Sequence, residues 1–500
     1  VTIDVTRHVH IGILGTGFSG MGAAILLKQR GIDDFYVFER AADVGGTWRD
    51  NSYPGCACDV ESHLYSFSFA PNPDWSRLFS PQPEIFAYLR KCALDFGILP
   101  HVRFGHEIQG AHWDDDASVW RIQTSRGAYT ADIVLSALGP LCEPQYPSVP
   151  GLETFTGKAF HSARWDHGYD LRGKRVAVIG TGASAIQFVP EIQPKVAKLT
   201  LFQRTPAWVL PRLDRAISQR EKEAFRRFPA VQQAVRAAIY ARRELFVLGF
   251  RNPRALNWLE KFALSYLERK VQNPELRKKL TPNFRIGCKR ILISRDYLPA
   301  LTQPNVDVVT DGIREVRGNR IITQDGSEHE VDVIIYGTGF KVTEMPFANM
   351  VRGRDGRTLN EVWEGSPRAH LGTTMNGFPN LFTLLGPNTG LGHTSVVIMA
   401  EAQIQLAIEA IEHLHQKSLG VVEVKPETVA QSVREIDEDG KGTVWTAGGC
   451  ASWYLDKTGR NSTLWPSFTF DFIRKAHFRP SEYTFGALKA RSQPAVTIHA

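Results

Sequence analysis

His10-Ile11-Gly12-Ile13-Leu14-Gly15-Thr16-Gly17-Phe18-Ser19-Gly20 decides the fold, together with the MGAAILLKQRG that follows it. The apolar run predicts a short buried strand, and the last segment has the composition of a helix. A second strand, Phe35-Tyr36-Val37-Phe38, ends at Glu39. Each glycine in such a turn has a separate job. Gly15 permits the tight bend, Gly17 lets backbone approach a pyrophosphate, and Gly20 lets helix and strand pack closely. The helix N-terminus then offers free N–H groups and a positive dipole end to phosphate.

The same design recurs downstream. Arg175-Val176-Ala177-Val178-Ile179 is a strand, and Gly180-Thr181-Gly182-Ala183-Ser184-Ala185 is a turn leading into a helix. The strand Leu199-Thr200-Leu201-Phe202-Gln203 then ends at Arg204. Gly15 and Glu39 stand as far apart as Gly180 and Arg204. A lone glycine motif is weak, but two copies with matching flanks and spacing are poorly explained by chance.

The residue ending the second strand differs between the copies. Glu39 is an acceptor suited to a free ribose diol, whereas Arg204 is a fixed cation suited to a 2′-phosphate. The first cradle therefore reads as a site for FAD and the second for NADPH. A solvated surface arginine is the bland alternative for Arg204, and its place behind a matched fingerprint favours the phosphate.

Asp132-Ile133-Val134-Leu135-Ser136-Ala137-Leu138-Gly139 and Asp332-Val333-Ile334-Ile335-Tyr336-Gly337-Thr338-Gly339 mirror each other as buried strands running into glycine. We read them as crossings between two nucleotide units. The proline-rich Pro144–Gly151 marks the first boundary. Residues 212–280 have helical spacing and many charges, which predicts a helical insertion with a solvated face. Strands return at 305–336, and 394–415 predicts a long helix whose N-terminus faces the flavin ring. The fold class is α/β, with two Rossmann-like dinucleotide-binding domains and a helical insertion. The expected division is 1–145 for the first part of the FAD domain, 146–211 for the first part of the NADP domain and 212–286 for the insertion. Residues 287–340 then complete the NADP domain, and 341–500 complete the FAD domain with a mobile C-terminal loop.

Bulk properties fit this picture. Five hundred residues exceed one ordinary core. The net charge of +7 comes from interspersed acids and bases, so no nucleic-acid stripe is visible, and an anionic cofactor explains the excess. The start, VTIDVTRHVH, shows no signal peptide, and no apolar run approaches about 18 residues, so no integral membrane association is expected. Cytoplasmic residence is the default expectation. The six cysteines show no paired CxxC spacing, so neither a disulfide framework nor a metal site is expected. Cys56 and Cys58 read as packed thiols in preference to a redox pair.

Phe155-Thr156-Gly157-Lys158-Ala159-Phe160-His161-Ser162-Ala163-Arg164-Trp165-Asp166 fits FxGxxxHxxxW[P/D]. This pattern, with Phe155, Gly157, His161, Trp165 and Asp166 at its fixed positions, resembles the fingerprint of the Baeyer–Villiger monooxygenases, the class B flavoprotein monooxygenases. The resemblance runs nearly end to end. Gly45-Gly46-Thr47-Trp48 and Tyr53-Pro54-Gly55-Cys56-Ala57-Cys58-Asp59 resemble the family's flavin-side loop. Gln203-Arg204-Thr205-Pro206 resembles its NADP-phosphate segment, and Gly287-Cys288-Lys289-Arg290 the segment carrying its active-site arginine. Ser452-Trp453-Tyr454 is similar to the mobile C-terminal loop whose tryptophan contacts the nicotinamide cofactor. The following LDKTGRNSTLWP departs from the commonest ketone-oxidising members.

The resemblance implies a monooxygenase that uses FAD, NADPH and O2 to turn an apolar ketone into an ester or lactone through a C4a-peroxyflavin. It implies that Arg290 stabilises negative charge as a preorganised cation and that Asp59 orients it. Lys289 would join Arg204 and Thr205 around the 2′-phosphate. Cofactor contacts are also expected from Phe18, Ser19, Arg40, Gly46, Thr47, Trp48, Tyr65 and Trp453. Trp48 reads equally well as plain core. Asp59 and Arg290 are distant in sequence, so spacing alone leaves a structural ion pair or two unrelated charges open. Three rival functions compete with this one: nitrogen or sulfur oxygenation on the same fold, a flavin disulfide reductase, and a non-catalytic nucleotide-binding protein. Trp48 stands where a reductase needs a thiol, which disfavours the second. Substrate identity and oligomeric state are not readable.

Overall fold

Residues 7–342 and 345–489 are described by the structure, a computed structural model. Its larger sheet has eight strands. Arg7–Leu14 lies between Phe35–Glu39 and Gly127–Ser136, parallel to both, and Val102–Phe104 continues the sheet beyond Phe35–Glu39. On the other side Gly127–Ser136, Val119–Thr124 and Ile108–Asp114 form an antiparallel meander, and Leu381–Thr383 pairs with Gly127–Ser136. Strands of a parallel sheet are covered on both faces and so read as near-continuous apolar runs. Ile11, Ile13 and Leu14 accordingly lose all solvent exposure.

The smaller sheet is wholly parallel. Its order is Val306–Val309, Lys198–Phe202, Arg175–Ile179, Val333–Tyr336 and Lys158–His161. In both sheets the strand before the glycine turn has neighbours that lie on opposite sides, so the turn sits where the strand order reverses. Ligands bind at such a crevice beyond the carboxyl ends of the strands. Helix Phe18–Gln29 follows the first turn and packs on Val396–Lys417, the long helix expected at 394–415. Helix Ala185–Ile192 follows the second turn.

The chain leaves the larger sheet at Ser136 and enters the smaller one at Lys158, then returns after Tyr336. These are the two mirrored segments. His161 of the fingerprint lies directly under both passages. Its ring is 5.6 Å from that of Tyr146 on the outward passage and 5.7 Å from Phe340 on the return. Burial pushes its pKa down to about 4, so it is neutral and its Nδ1 accepts the Ala163 N–H.

Residues 212–286 supply the helices Gln219–Arg227, Pro229–Glu244, Phe246–Arg251, Asn257–Lys270 and Pro274–Leu280. Their charges do not all form a solvated face, and here the sequence expectation needs correcting. Arg236 donates to the carbonyls of His63, Leu64 and Ser66, and Arg243 to that of Asp59. Irregular loop backbone needs donors when buried, and these arginines provide them.

The cysteine expectation is corrected in one respect. Cys288 and Cys450 form a disulfide across 162 residues of sequence. No local motif announces it, because a turn between Arg285 and Cys288 and the Gly448–Gly449 segment meet only in the folded chain. A Cβ on Gly448 would lie 2.7 Å from the sulfur of Cys288. Cys56 and Cys58 are buried free thiols, as expected, and Cys92 is a third. Among the described residues no helix is long and apolar enough to cross a membrane.

Candidate active site

One cavity runs from the first glycine turn to the C-terminal loop. Gly15, Gly17, Gly46, Arg290 and Trp453 all line it. At its start, Gly15 has φ +99°, and a Cβ there would meet the Ala137 carbonyl at 2.9 Å. Gly17 and Gly46 touch backbone to backbone, since a Cβ on Gly46 would lie 2.9 Å from the Gly17 Cα. Two chain segments therefore offer bare backbone to the same space. The first turn of helix Phe18–Gln29 has no side-chain cap, which leaves its N–H groups for a ligand. Ser19 is buried in that turn, and Phe18 packs edge-on against Tyr65 at 5.1 Å.

Glu39 closes the strand as expected, with its carboxylate already engaged. It accepts from the Thr16 hydroxyl and the Ala41 N–H and pairs with Arg49 at 2.9 Å. Arg40 pairs with Glu143 at 2.7 Å and Asp50 at 3.5 Å. Thr47 and Trp48 line the cavity, and the Trp48 indole donates to the Tyr65 hydroxyl at 3.1 Å. Trp48 is thus both cavity wall and core neighbour.

Asp59 and Arg290 meet. The guanidinium Nε and Nη2 both stand 2.7 Å from Asp59 Oδ2. Burial alone would raise the pKa of Asp59, but the charge of Arg290, and then that of Arg243, hold it below the usual carboxylate range. Asp59 in turn keeps Arg290 firmly protonated. The loop carrying Asp59 is fixed by the second nucleotide unit. Tyr53 donates to the Gln187 side chain at 3.0 Å, Gln187 donates to the Ala57 carbonyl at 2.9 Å, and Tyr53 and Cys56 join the smaller sheet's core. From the insertion, Arg243 donates to the Asp59 carbonyl at 3.1 Å and pairs with buried Glu61.

The second turn repeats the first. Gly180 has φ +106°, and a Cβ there would meet the Gly337 carbonyl at 2.4 Å. Gly182 and Ala183 are exposed, with Thr181 and Ser184 half-buried beside them. Thr181 donates to the Thr205 carbonyl at 3.1 Å, tying the turn to the Arg204 segment. Burial and the nearby charge of Arg204 lower the pKa of Lys289. Among the described residues neither cation has a carboxylate within ion-pair distance. Two cations that repel each other favour an anionic ligand, and Thr205 ties one of them to the glycine turn.

The fingerprint residues hold structure around this arrangement. Gly157 has no room for a Cβ, which would lie 2.3 Å from the Asp332 carbonyl. Phe155 packs against the smaller sheet, and Trp165 against Phe160 and Phe188. Asp166 pairs with Lys158 at 2.6 Å.

Sequence reasoning passed over Tyr454. It is 1% exposed and Arg290 lies beside it; burial pushes its pKa up to about 12. Its neighbour Trp453 is 46% exposed, and their rings are 4.4 Å apart. Arg243, Glu61 and Gln187 were also missed. Tyr454 was adjacent to a recognised tryptophan; the others had no local signal.

Residues 8–353 match the Flavin-binding monooxygenase-like family, FMO-like. A Baeyer–Villiger monooxygenase of Streptomyces coelicolor is 54% identical over 94% of this chain and 91% of its own length. One from Pseudomonas aeruginosa is 51% identical over 94% and 90%. The chain belongs to the Baeyer–Villiger monooxygenases. Among solved structures, OTEMO in complex with FAD and NADP superposes with a TM-score of 0.88 at 26% identity, over 96% of this chain and 100% of that one. This monooxygenase is an FAD- and NADPH-dependent enzyme, and its residues fit both groups. Both helices that follow a glycine turn start without a side-chain cap, and the two cations near the second turn suit the extra phosphate that distinguishes NADP.

Proposed function

We propose that this enzyme oxidises an apolar ketone to an ester or lactone, with Arg290 as the catalytic cation and Asp59 as its positioning partner. The ion-paired and hydrogen-bonded Asp59–Arg290 pair, with Arg290 on the cavity wall, carries the proposal. FAD and NADPH, when bound, supply the electrons that make O2 reactive. The chain's own part is to hold them, to exclude water and to stabilise charge. Arg290 stays protonated throughout, so it serves as a fixed positive charge for the oxygen on which negative charge develops. Asp59 fixes the guanidinium plane and is itself held by Arg243 and by the loop docked on Gln187. Leu391, Leu464 and Trp453 give the same cavity an apolar lining suited to the ketone.

Gly15, Gly17, Gly20 and the helix N-terminus at Phe18 and Ser19 would receive the FAD pyrophosphate, with Glu39 towards its ribose. Gly46, Thr47, Trp48 and Tyr65 would border the flavin. Arg204, Thr205 and Lys289 would hold the 2′-phosphate beside Gly180, Gly182 and Ser184, and Trp453 would close over the nicotinamide. The larger sheet supports assigning 1–145 and 341–500 to the FAD domain. The smaller sheet supports 146–211 and 287–340 for the NADP domain, with 212–286 inserted.

Arg290→Ala tests the assignment. Removing one preorganised donor of developing charge costs roughly 10²–10³-fold in rate. The variant should purify with flavin, accept electrons from NADPH and lose ester formation by at least that factor. An unchanged ester yield, measured by gas chromatography with a simple cyclic ketone, removes Arg290 from the mechanism.

A further inference from the structure

The insertion carries an outer surface that the chemistry above does not use. Helix Phe246–Arg251, the short turn Pro253–Leu256 and helix Asn257–Lys270 follow one another. Their inner sides are spent on one core, in which Phe250, Leu256, Leu259 and Ala263 pack with Cys288 and Tyr454. Both helices also pack against the turn between them, so their outer sides adjoin it. That surface is markedly apolar. Leu245 is 63% exposed, Leu248 53%, Trp258 64% and Phe262 42%, with Phe246 and Leu264 each at 39%. Trp258 and Phe262 stand one helical turn apart, on the same stripe.

Its charge is one-sided. Arg254 and Lys261 are exposed among these side chains, as is Arg251, which pairs with Asp439 at 3.3 Å. Of the two acids between residues 245 and 270, Glu260 is turned inward to Arg285 and the Ile286 N–H, both at 2.9 Å, and Glu268 is exposed beside Arg269 and Lys270. An isolated exposed leucine is ordinary, but six large apolar side chains within twenty residues, on a face whose cations outnumber its one exposed acid, are not. Nucleic acid would be met by the cations but not by leucines. A second copy of this chain would bring two net-positive faces together. A bilayer rich in anionic lipid satisfies both halves of the surface. Tryptophan sits at the headgroup level, leucine and phenylalanine enter the acyl boundary, and basic side chains meet anionic headgroups.

We propose that this face docks the enzyme peripherally on membranes that contain anionic phospholipid. Its inner side packs against the segment that carries Arg290 and against Tyr454, so docking places the active centre one helix layer from a phase in which apolar ketones concentrate. That last consequence rests on the ketone reading; the docking itself does not.

The test therefore measures binding without turnover. Flavin-loaded enzyme is sedimented with vesicles of phosphatidylcholine alone or with one third phosphatidylglycerol, at low and high salt. Binding is expected only to the anionic vesicles and should weaken with salt. Trp258→Ala with Leu248→Ser should lower it at least tenfold. Arg254→Gln with Lys261→Gln should abolish the preference for anionic lipid. All these side chains are exposed, and activity on a water-soluble ketone should be unchanged in both variants, which reports on folding. Failure to sediment with anionic vesicles overturns the proposal, as does binding that neither variant reduces. Self-association through this face without lipid binding, seen by sedimentation velocity, overturns it in favour of a second copy. Loss of ketone oxidation alone would instead count against the ketone reading.

Discussion

Arg204 and Lys289 stand close enough for like-charge repulsion to help lower the lysine's pKa, and among the described residues no carboxylate pairs with either. Such a pair costs stability until an anion arrives, so it is informative about the ligand. A charged hydrogen bond contributes about 1.5–3 kcal/mol, which converts to roughly ten- to a hundredfold in affinity. Arg204→Ala should raise the Michaelis constant for NADPH by that factor and leave that for NADH nearly unchanged. Equal effects on both coenzymes, in parallel steady-state assays, count against the phosphate site. Arg204 was legible because it ends a strand at a fixed distance from a glycine turn. The Asp59–Arg290 pair was legible only through resemblance, since 231 positions separate its members. Arg243 was not legible at all: nothing in a helix rich in arginine tells which one turns inward to a loop carbonyl.

At the scale of elements, the glycine turns were the most readable part of the chain. A Cβ on Gly20 would lie 1.9 Å from the Gly15 carbonyl oxygen, closer than any repacking of side chains can relieve. Gly20→Val should push helix Phe18–Gln29 away from its strand and deprive the pyrophosphate of its N–H groups. The expected outcome is protein purified with little flavin, read from the visible spectrum. Retention of full flavin content would show that the helix start is not the cradle. The strands flanking both turns announced themselves because burial on two faces demands unbroken apolar runs. The Tyr53–Asp59 loop gave no comparable sign. Its position depends on Gln187, a polar residue on a helix of the other unit, and such partnerships leave no periodicity to detect.

At the scale of the whole molecule, two mirrored strands revealed that the chain crosses between its sheets and comes back. The fingerprint histidine proved to lie beneath that double passage, a placement its sequence context did not disclose. What stayed hidden was the covalent link between Cys288 and Cys450. It sews everything from residue 289 to residue 449 into a ring, including the edge of one sheet and the longest helix of the molecule. A tryptic nick at the exposed Arg317 or Arg320 would open that ring without separating its ends. On a denaturing gel the nicked protein should run as one full-mass species without reductant and split in two with it. A nick at Arg226 or Arg227, outside the ring, should release fragments under either condition. The molecule thus has a stretch where a broken backbone is not yet a broken protein.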